Sequence, residues 1–216
     1  MRVERLEATG AVAFVVAAAI FAALAWGVEI GTPVVLTDAA VTKWMIAHRT
    51  EALTSLMLGI SALHEPGWVG LWTVCFGLVL WRRGERYWLL TLAATLGGGM
   101  LLNQGLKLLY RRARPVLDDP LVMLHSFSFP SGHTAGATLF YGVLAAYLVY
   151  AVKTRAERIA AIAGAIAMVA MVALSRVYLG AHYLSDVAAA ACSSTVWLVV
   201  CLVGVHSLVR KRMEGR

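Results

Sequence analysis

Three short stretches of this chain combine cations, histidines and a single carboxylate. KLLYRRARP (107–115) offers Lys107, Arg111, Arg112 and Arg114; FSFPSGHTAGATLF (127–140) offers Ser131, Gly132 and His133; SRVYLGAHYLSD (175–186) offers Arg176, His182 and Asp186. His182 and Asp186 are i and i+4, so the spacing predicts a shared helical face. There the carboxylate can accept one imidazole N–H, fix the tautomer and raise the basicity of the other nitrogen. Ser131 is a natural cap for a following helix, Gly132 lets backbone approach a ligand, and a helix N-terminus with free N–H groups attracts anions. Lys107 and Arg111 fall on one helical face, Arg114 lies one turn further, and Pro115 is expected to stop the helix. Snorkelling at a helix end accounts for Arg111 and Arg112, but less well for Lys107, which lies deeper, behind Asn103 and Gln104.

Together these residues suit the binding and cleavage of a phosphate. Phosphoryl transfer needs positioning and neutralisation of the equatorial oxygens, which Lys107, Arg114 and Arg176 can supply. One histidine can attack phosphorus when a third group orients it, and the other can protonate the leaving oxygen. Asp186 is the only acidic residue in the three stretches, so they offer no carboxylate cluster for a metal.

The elements that must position them are membrane helices. The chain has 216 residues, 60% hydrophobic and only 14% charged, against about 25% charged in soluble domains. Its charges fall in blocks separated by apolar runs of membrane-crossing length. An all-α, polytopic membrane protein with six transmembrane helices is expected, with spans near 10–29, 66–81, 86–109, 132–152, 156–176 and 184–209. The second is short and bracketed by Trp68 and Trp81, as interfacial anchors would be. The run 53–63 is too short to cross and reads as an interfacial or re-entrant helix. The first span has the look of a signal peptide, with Ala-Leu-Ala at 23–25, but it is long for one and topology favours its retention. No linker or composition break divides the chain, so 1–216 reads as a single membrane-embedded domain with its motif core at 107–186.

The net charge of +7 is orientation, not nucleic-acid binding. With both termini in the cytoplasm the inner side holds twelve Lys and Arg: Arg2, Arg5, Arg82, Arg83, Arg86, Lys153, Arg155, Arg158, Arg210, Lys211, Arg212 and Arg216. The outer side holds seven, Lys43, Arg49, Lys107, Arg111, Arg112, Arg114 and Arg176, a bias in the right direction. All three chemical stretches then lie at the outer face. Cys75, Cys192 and Cys201 sit in apolar runs without metal-ligand spacing and read as packing residues.

The three stretches resemble the type 2 phosphatidic acid phosphatase superfamily, which also includes the vanadium haloperoxidases. The family pattern is Lys, six residues, Arg-Pro; then Pro-Ser-Gly-His; then Ser-Arg, five residues, His, three residues, Asp. This chain reads Lys107…Arg114-Pro115, Pro130-Ser131-Gly132-His133 and Ser175-Arg176…His182…Asp186. The resemblance implies that His182 is the nucleophile, forming a phosphohistidine, that Asp186 orients it, and that His133 donates the proton to the leaving group. It implies that Lys107, Arg114, Arg176, Ser131 and the Gly132 N–H hold the phosphate, and that neither metal nor cofactor takes part. It also implies six spans with the site at the outer face, here of a bacterial inner membrane.

The expected substrate is a lipid phosphate or diphosphate in the bilayer: undecaprenyl diphosphate, phosphatidylglycerophosphate or phosphatidic acid, with envelope-lipid recycling the first reading. Two other readings compete. A vanadate-dependent haloperoxidase would use the same pocket, but its relatives are soluble. A non-catalytic lipid-phosphate binder or transporter would have no evident use for a nucleophile and a proton donor. Asn103 and Gln104 read as partners of Lys107 or as interhelical hydrogen bonds. His64 and Glu65, at the start of the second span, read as a helix cap or as residues approaching the site from outside, and Gly97-Gly98-Gly99 as a site of close packing or bending. The 116–129 loop, with Asp118, Asp119 and His125, reads as a head-group entrance or a solvated turn. His48 and His206 look incidental.

Overall fold

The structure, a computed structural model, describes residues 2–31 and 33–214. Arg216 lies outside these residues, as do the side chains of Arg2, Arg5, His206, Arg210, Lys211 and Arg212. Eight helices follow one another: α1 (Arg2–Glu29), α2 (Pro33–Ala47), α3 (Glu51–Leu63), α4 (Pro66–Arg82), α5 (Arg86–Tyr110), α6 (Gly132–Ala151), α7 (Arg155–Tyr178) and α8 (Leu184–Glu214). The all-helical expectation is met.

Among the described residues, five segments are long and apolar enough to cross a bilayer: Gly10–Glu29, Arg86–Tyr110, Gly132–Ala151, Arg155–Tyr178 and Leu184–Val205. The sixth expected span is α4, only 17 residues long, with Trp68 and Trp81 exposed near its two ends. The run at 53–63 is α3, capped by the Thr50 hydroxyl accepting from Leu53 N–H at 3.3 Å. Helix α2 was not foreseen. It is apolar but short, and it contains a single acidic residue, Asp38, which is 1% exposed.

The bundle is closed by its first and last long helices. Gly10 of α1 lies against Val199 of α8, while Ala25 packs with Ala189, so α1 and α8 run antiparallel. Helix α8 also lies against α5 and α6. A Cβ on Gly98 would fall 2.3 Å from the Trp197 ring, and one on Gly99 would meet Leu139 of α6 at 2.6 Å. Gly142 of α6 likewise lies under Leu198. The Trp197 Nε1–H donates to Ala94 O at 3.2 Å, which fixes the indole over the glycines. Of the three consecutive glycines, Gly98 and Gly99 therefore serve close packing, whereas Gly97 has open space. Replacing Gly98 by Ala should overpack this seam and cost about 1–3 kcal/mol, read as a lower thermal midpoint in detergent.

Most of the apolar core lies at one end of the bundle, around Leu80, Trp88, Leu92, Leu139, Val143 and Tyr147. Arg83 Nη1 donates to the Tyr147 hydroxyl there, at 3.1 Å. The other end is polar, and there the C-terminal ends of α5 and α7 meet the N-terminal ends of α6 and α8.

Candidate active site

Helix α5 delivers Lys107 in its last turn and then stops. Arg111 adopts a left-handed conformation (φ 44°) and its N–H returns to Lys107 O. The helix therefore ends five residues before Pro115, and Arg114 sits on irregular chain rather than one helical turn on. Release from the helix lets Arg114 fold back: Nε donates to Ser126 O at 2.7 Å, Nη2 to Ser126 Oγ at 3.0 Å and to Phe127 O at 3.2 Å, and Nη1 to Ala181 O at 2.7 Å. Lys107, 6% exposed, donates from Nζ to Phe127 O at 2.7 Å. The 116–129 loop is thus tied over the site by its carbonyls. Asp118 and Asp119 instead line a separate cavity of about 510 Å³ with Lys43, Arg49 and Tyr183.

Ser131 caps α6 as expected, its Oγ accepting from Thr134 N–H at 3.5 Å and from the Thr134 hydroxyl at 3.2 Å. Its own N–H donates to Asp186 O at 3.1 Å, which joins the start of α6 to the start of α8. Gly132 opens α6 with Asn103 and Lys107 beside it. His133 follows in the first turn, within electrostatic range of Arg176, His182, His64 and Arg114.

Helix α7 ends with Arg176, 2% exposed. Its Nη1 hydrogen-bonds Ser61 Oγ of α3. Its Nε and Nη2 are buried without a protein partner. Burying unpartnered N–H groups of a cation is costly, and two donors left free here have the chemistry to receive an anion. Asn103 Nδ2 is unpartnered as well.

His182 and Asp186 do meet, but not as neighbours on a helical face. Helix α8 begins at Leu184, so His182 lies in the turn before it, and the contact is a cap. Asp186 Oδ2 accepts from Tyr183 N–H at 2.9 Å, from His182 Nδ1–H at 3.4 Å and from the Ser128 hydroxyl. With Nδ1 protonated, His182 Nε2 carries the lone pair, and it accepts from Arg114 Nη1 at 3.2 Å. Burial pulls the His182 pKa down from 6.5 to about 4, against the opposing hydrogen bond and charge of Asp186. The ring is neutral at pH 7 and its lone-pair nitrogen faces Arg114. Burial also lowers the Arg114 pKa, with Asp186 opposing, but an arginine stays charged under these conditions.

Sequence reasoning misplaced one residue here. Arg112 does not snorkel. Its Nη1 donates to Asp186 Oδ1 at 2.6 Å and to Ser185 Oγ at 2.7 Å, its Nη2 donates to Asp38 Oδ2 at 2.7 Å, and its guanidinium stacks 4.2 Å above the Tyr183 ring. Asp38 was missed altogether, as was Ser61. A lone carboxylate in an apolar helix was the available signal for the first. His64 and Glu65 differ in what they do. His64 is buried, its Nδ1 2.8 Å from Ile60 O and its Nε2 2.9 Å from the Tyr141 hydroxyl. Glu65 precedes Pro66 at the start of α4 without a side-chain cap bond.

All eight residues singled out from the three stretches thus converge on one end of the bundle. The sequence matches the PAP2 superfamily over residues 88–210, more than half of the chain. The chain belongs to the PAP2 superfamily. Phosphatidylglycerophosphatase B of Bacillus subtilis (strain 168) is 35% identical over 153 residues, which cover 69% of this chain and 74% of the relative. The crystal structure of a transmembrane PAP2-type phosphatidylglycerolphosphate phosphatase from Bacillus subtilis superposes with a TM-score of 0.77 at 32% identity, covering 92% of this chain and 96% of the other. The LpxE structure from Aquifex aeolicus, 20% identical, shares the fold with a TM-score of 0.63 over 77% of this chain and 94% of its own. This PAP2 chain is a hydrolase and an integral membrane protein.

Proposed function

We propose that the chain hydrolyses the terminal phosphate of a membrane lipid through a phosphohistidine on His182, with phosphatidylglycerophosphate as its preferred substrate. One observation carries the mechanism: a neutral, Asp186-held imidazole stands beside a buried arginine with two unpartnered N–H donors. The phosphate is held by Arg176, Arg114, Lys107, the Ser131 cap and the Gly132 N–H at the start of α6. His182 Nε2 attacks phosphorus as the P–O bond to the lipid breaks, and His133 gives its proton to the departing oxygen. The ring becomes a phosphoryl-imidazolium whose positive charge faces Asp186. Water then attacks phosphorus with its proton passing to His133, the P–N bond breaks, and inorganic phosphate leaves with His182 neutral again. The head-group preference is supported by the similarity to phosphatidylglycerophosphatase B of Bacillus subtilis in sequence and to the Bacillus subtilis phosphatase in structure, which point to a single relative. The arginine and lysine bias supports both termini in the cytoplasm and the site at the outer face of a bacterial inner membrane.

Phosphate release from phosphatidylglycerophosphate, undecaprenyl diphosphate and phosphatidic acid, measured side by side in detergent with EDTA, tests this reading. Release that survives EDTA and is fastest with phosphatidylglycerophosphate is expected. A different ranking would reassign the substrate, and release abolished by EDTA would overturn the metal-free mechanism.

A further inference from the structure

Behind Asp186 lies a second buried charge layer that the proposed chemistry does not use. Arg112 sits between two carboxylates, Asp186 of α8 and Asp38 of α2, at 2.6 and 2.7 Å. The two carboxylates are 0% and 1% exposed. Asp38 also accepts from Ser185 N–H at 2.9 Å and from the Ser185 hydroxyl at 2.5 Å. The three charges sum to one negative. Without Asp38, Arg112 would neutralise Asp186, and the layer would carry no charge toward the imidazole.

We propose that Asp38 is a positioning residue for the hydrolysis, acting through Arg112: by sharing the guanidinium it leaves Asp186 an uncompensated negative charge with which to stabilise the cationic ring formed when His182 attacks. The inference rests on the phosphohistidine reading above. It follows from when charge appears. His182 is neutral in the resting site, so a negative charge behind it does little for substrate binding. The ring becomes cationic only as the P–N bond forms, and interactions made only then raise kcat rather than lower KM. The phosphate itself is gripped from the other side, by Arg176, Arg114 and Lys107. A purely structural Asp38 would instead dock α2 on α8, and its loss would loosen binding and turnover alike.

The test uses the full chain in detergent, with phosphatidylglycerophosphate as substrate and inorganic phosphate as inhibitor. Asp38→Asn keeps the shape and removes the charge. Its kcat should fall about 10–100-fold, the cost typical of losing an outer partner of a catalytic group, while KM and inhibition by phosphate hold within about threefold. Asp38→Glu should regain part of the loss. A kcat within about twofold of wild type, or parallel losses in kcat, KM and phosphate inhibition, would overturn the proposal. If Asp38→Asn does not fold, Asp38→Ser decides on the same criteria, because it too removes the charge beside Arg112. His182→Ala separates the two readings. Activity surviving in that variant sinks the phosphohistidine mechanism itself, whereas a dead His182→Ala beside a fully active Asp38→Asn sinks only this inference.

Discussion

Substituting His182 by Ala should lower kcat by at least about 10⁴-fold, the scale seen when a covalent nucleophile is removed. No neighbour can replace it. Asp186 is saturated by Tyr183 N–H, Ser128 and Arg112, and His133 belongs to a different helix, in the first turn of α6. The variant should still fold, because those three donors hold the start of α8 without the imidazole. Rapid quenching with radiolabelled lipid should trap acid-labile protein-bound phosphate in the wild type and none in the variant. A pH signature accompanies the loss. The buried ring has its pKa lowered from 6.5 to about 4, so its neutral form is favoured by folding. That stability is fully present above pH 6.5 and lost as pH falls through about 4, since protonation then favours the unfolded chain. Acid melting curves should therefore fall less steeply for His182→Ala than for the wild type over this window. Equal slopes would mean that the ring is not held neutral.

Arg176→Met should have effects of opposite sign on activity and stability. The guanidinium is 2% exposed and leaves Nε and Nη2 without partners. Among the described residues Ser61 is its hydrogen-bond partner, through Nη1. A charge-stabilising arginine at a transferred phosphoryl group is worth about 10³–10⁵ in kcat, so kcat/KM should drop by about 10³-fold or more. Yet an imperfectly paired buried cation is costly, and an apolar residue of similar length is often neutral or stabilising in its place. The thermal midpoint of Arg176→Met should therefore equal or exceed that of the wild type. Ser61 can turn its hydroxyl back to the carbonyl one turn earlier in α3. Inorganic phosphate should narrow or reverse the gap by stabilising the wild type, by about 2.7 kcal/mol at a hundred times its dissociation constant, while leaving the variant unmoved. A variant that melts well below the wild type would show Arg176 to be a structural strut.

The two predictions rest on residues legible in the sequence, and the further inference rests on residues that were not. Lys107, Arg114, Ser131, Gly132, His133, Arg176, His182 and Asp186 announce themselves because short spacing places each in a recognisable local frame. Several frames were nevertheless different in kind. Pro115 was expected to end α5, but Arg111 does so by taking a left-handed cap, and this turns Arg114 back toward His182. His182 and Asp186 meet across a turn that caps α8, a geometry that an i,i+4 count also satisfies. Asp38 and Ser61 could not be placed, because their partners are far along the chain, Arg112 and Ser185 for one and Arg176 for the other. Apolar periodicity identifies which segments cross the bilayer, but not which faces of short helices such as α2 and α3 turn inward. Arg112 fits snorkelling in sequence; only the approach of α2 gives it a second carboxylate.

The packing of α8 also sets the order in which the machinery is completed. This helix is made last of the eight, yet it lies against α1, the first, and supplies Trp197 to the glycine seam of α5. During biosynthesis Lys107, Arg114 and Arg176 are translated before the carboxylate that anchors His182. Arg112 likewise waits with Asp38 alone as its counter-ion. On the proposed reading, a nascent chain halted before α8 would hold the cations meant for the phosphate but not the carboxylate that orients His182, and hydrolysis would begin only when the final helix inserts beside the first.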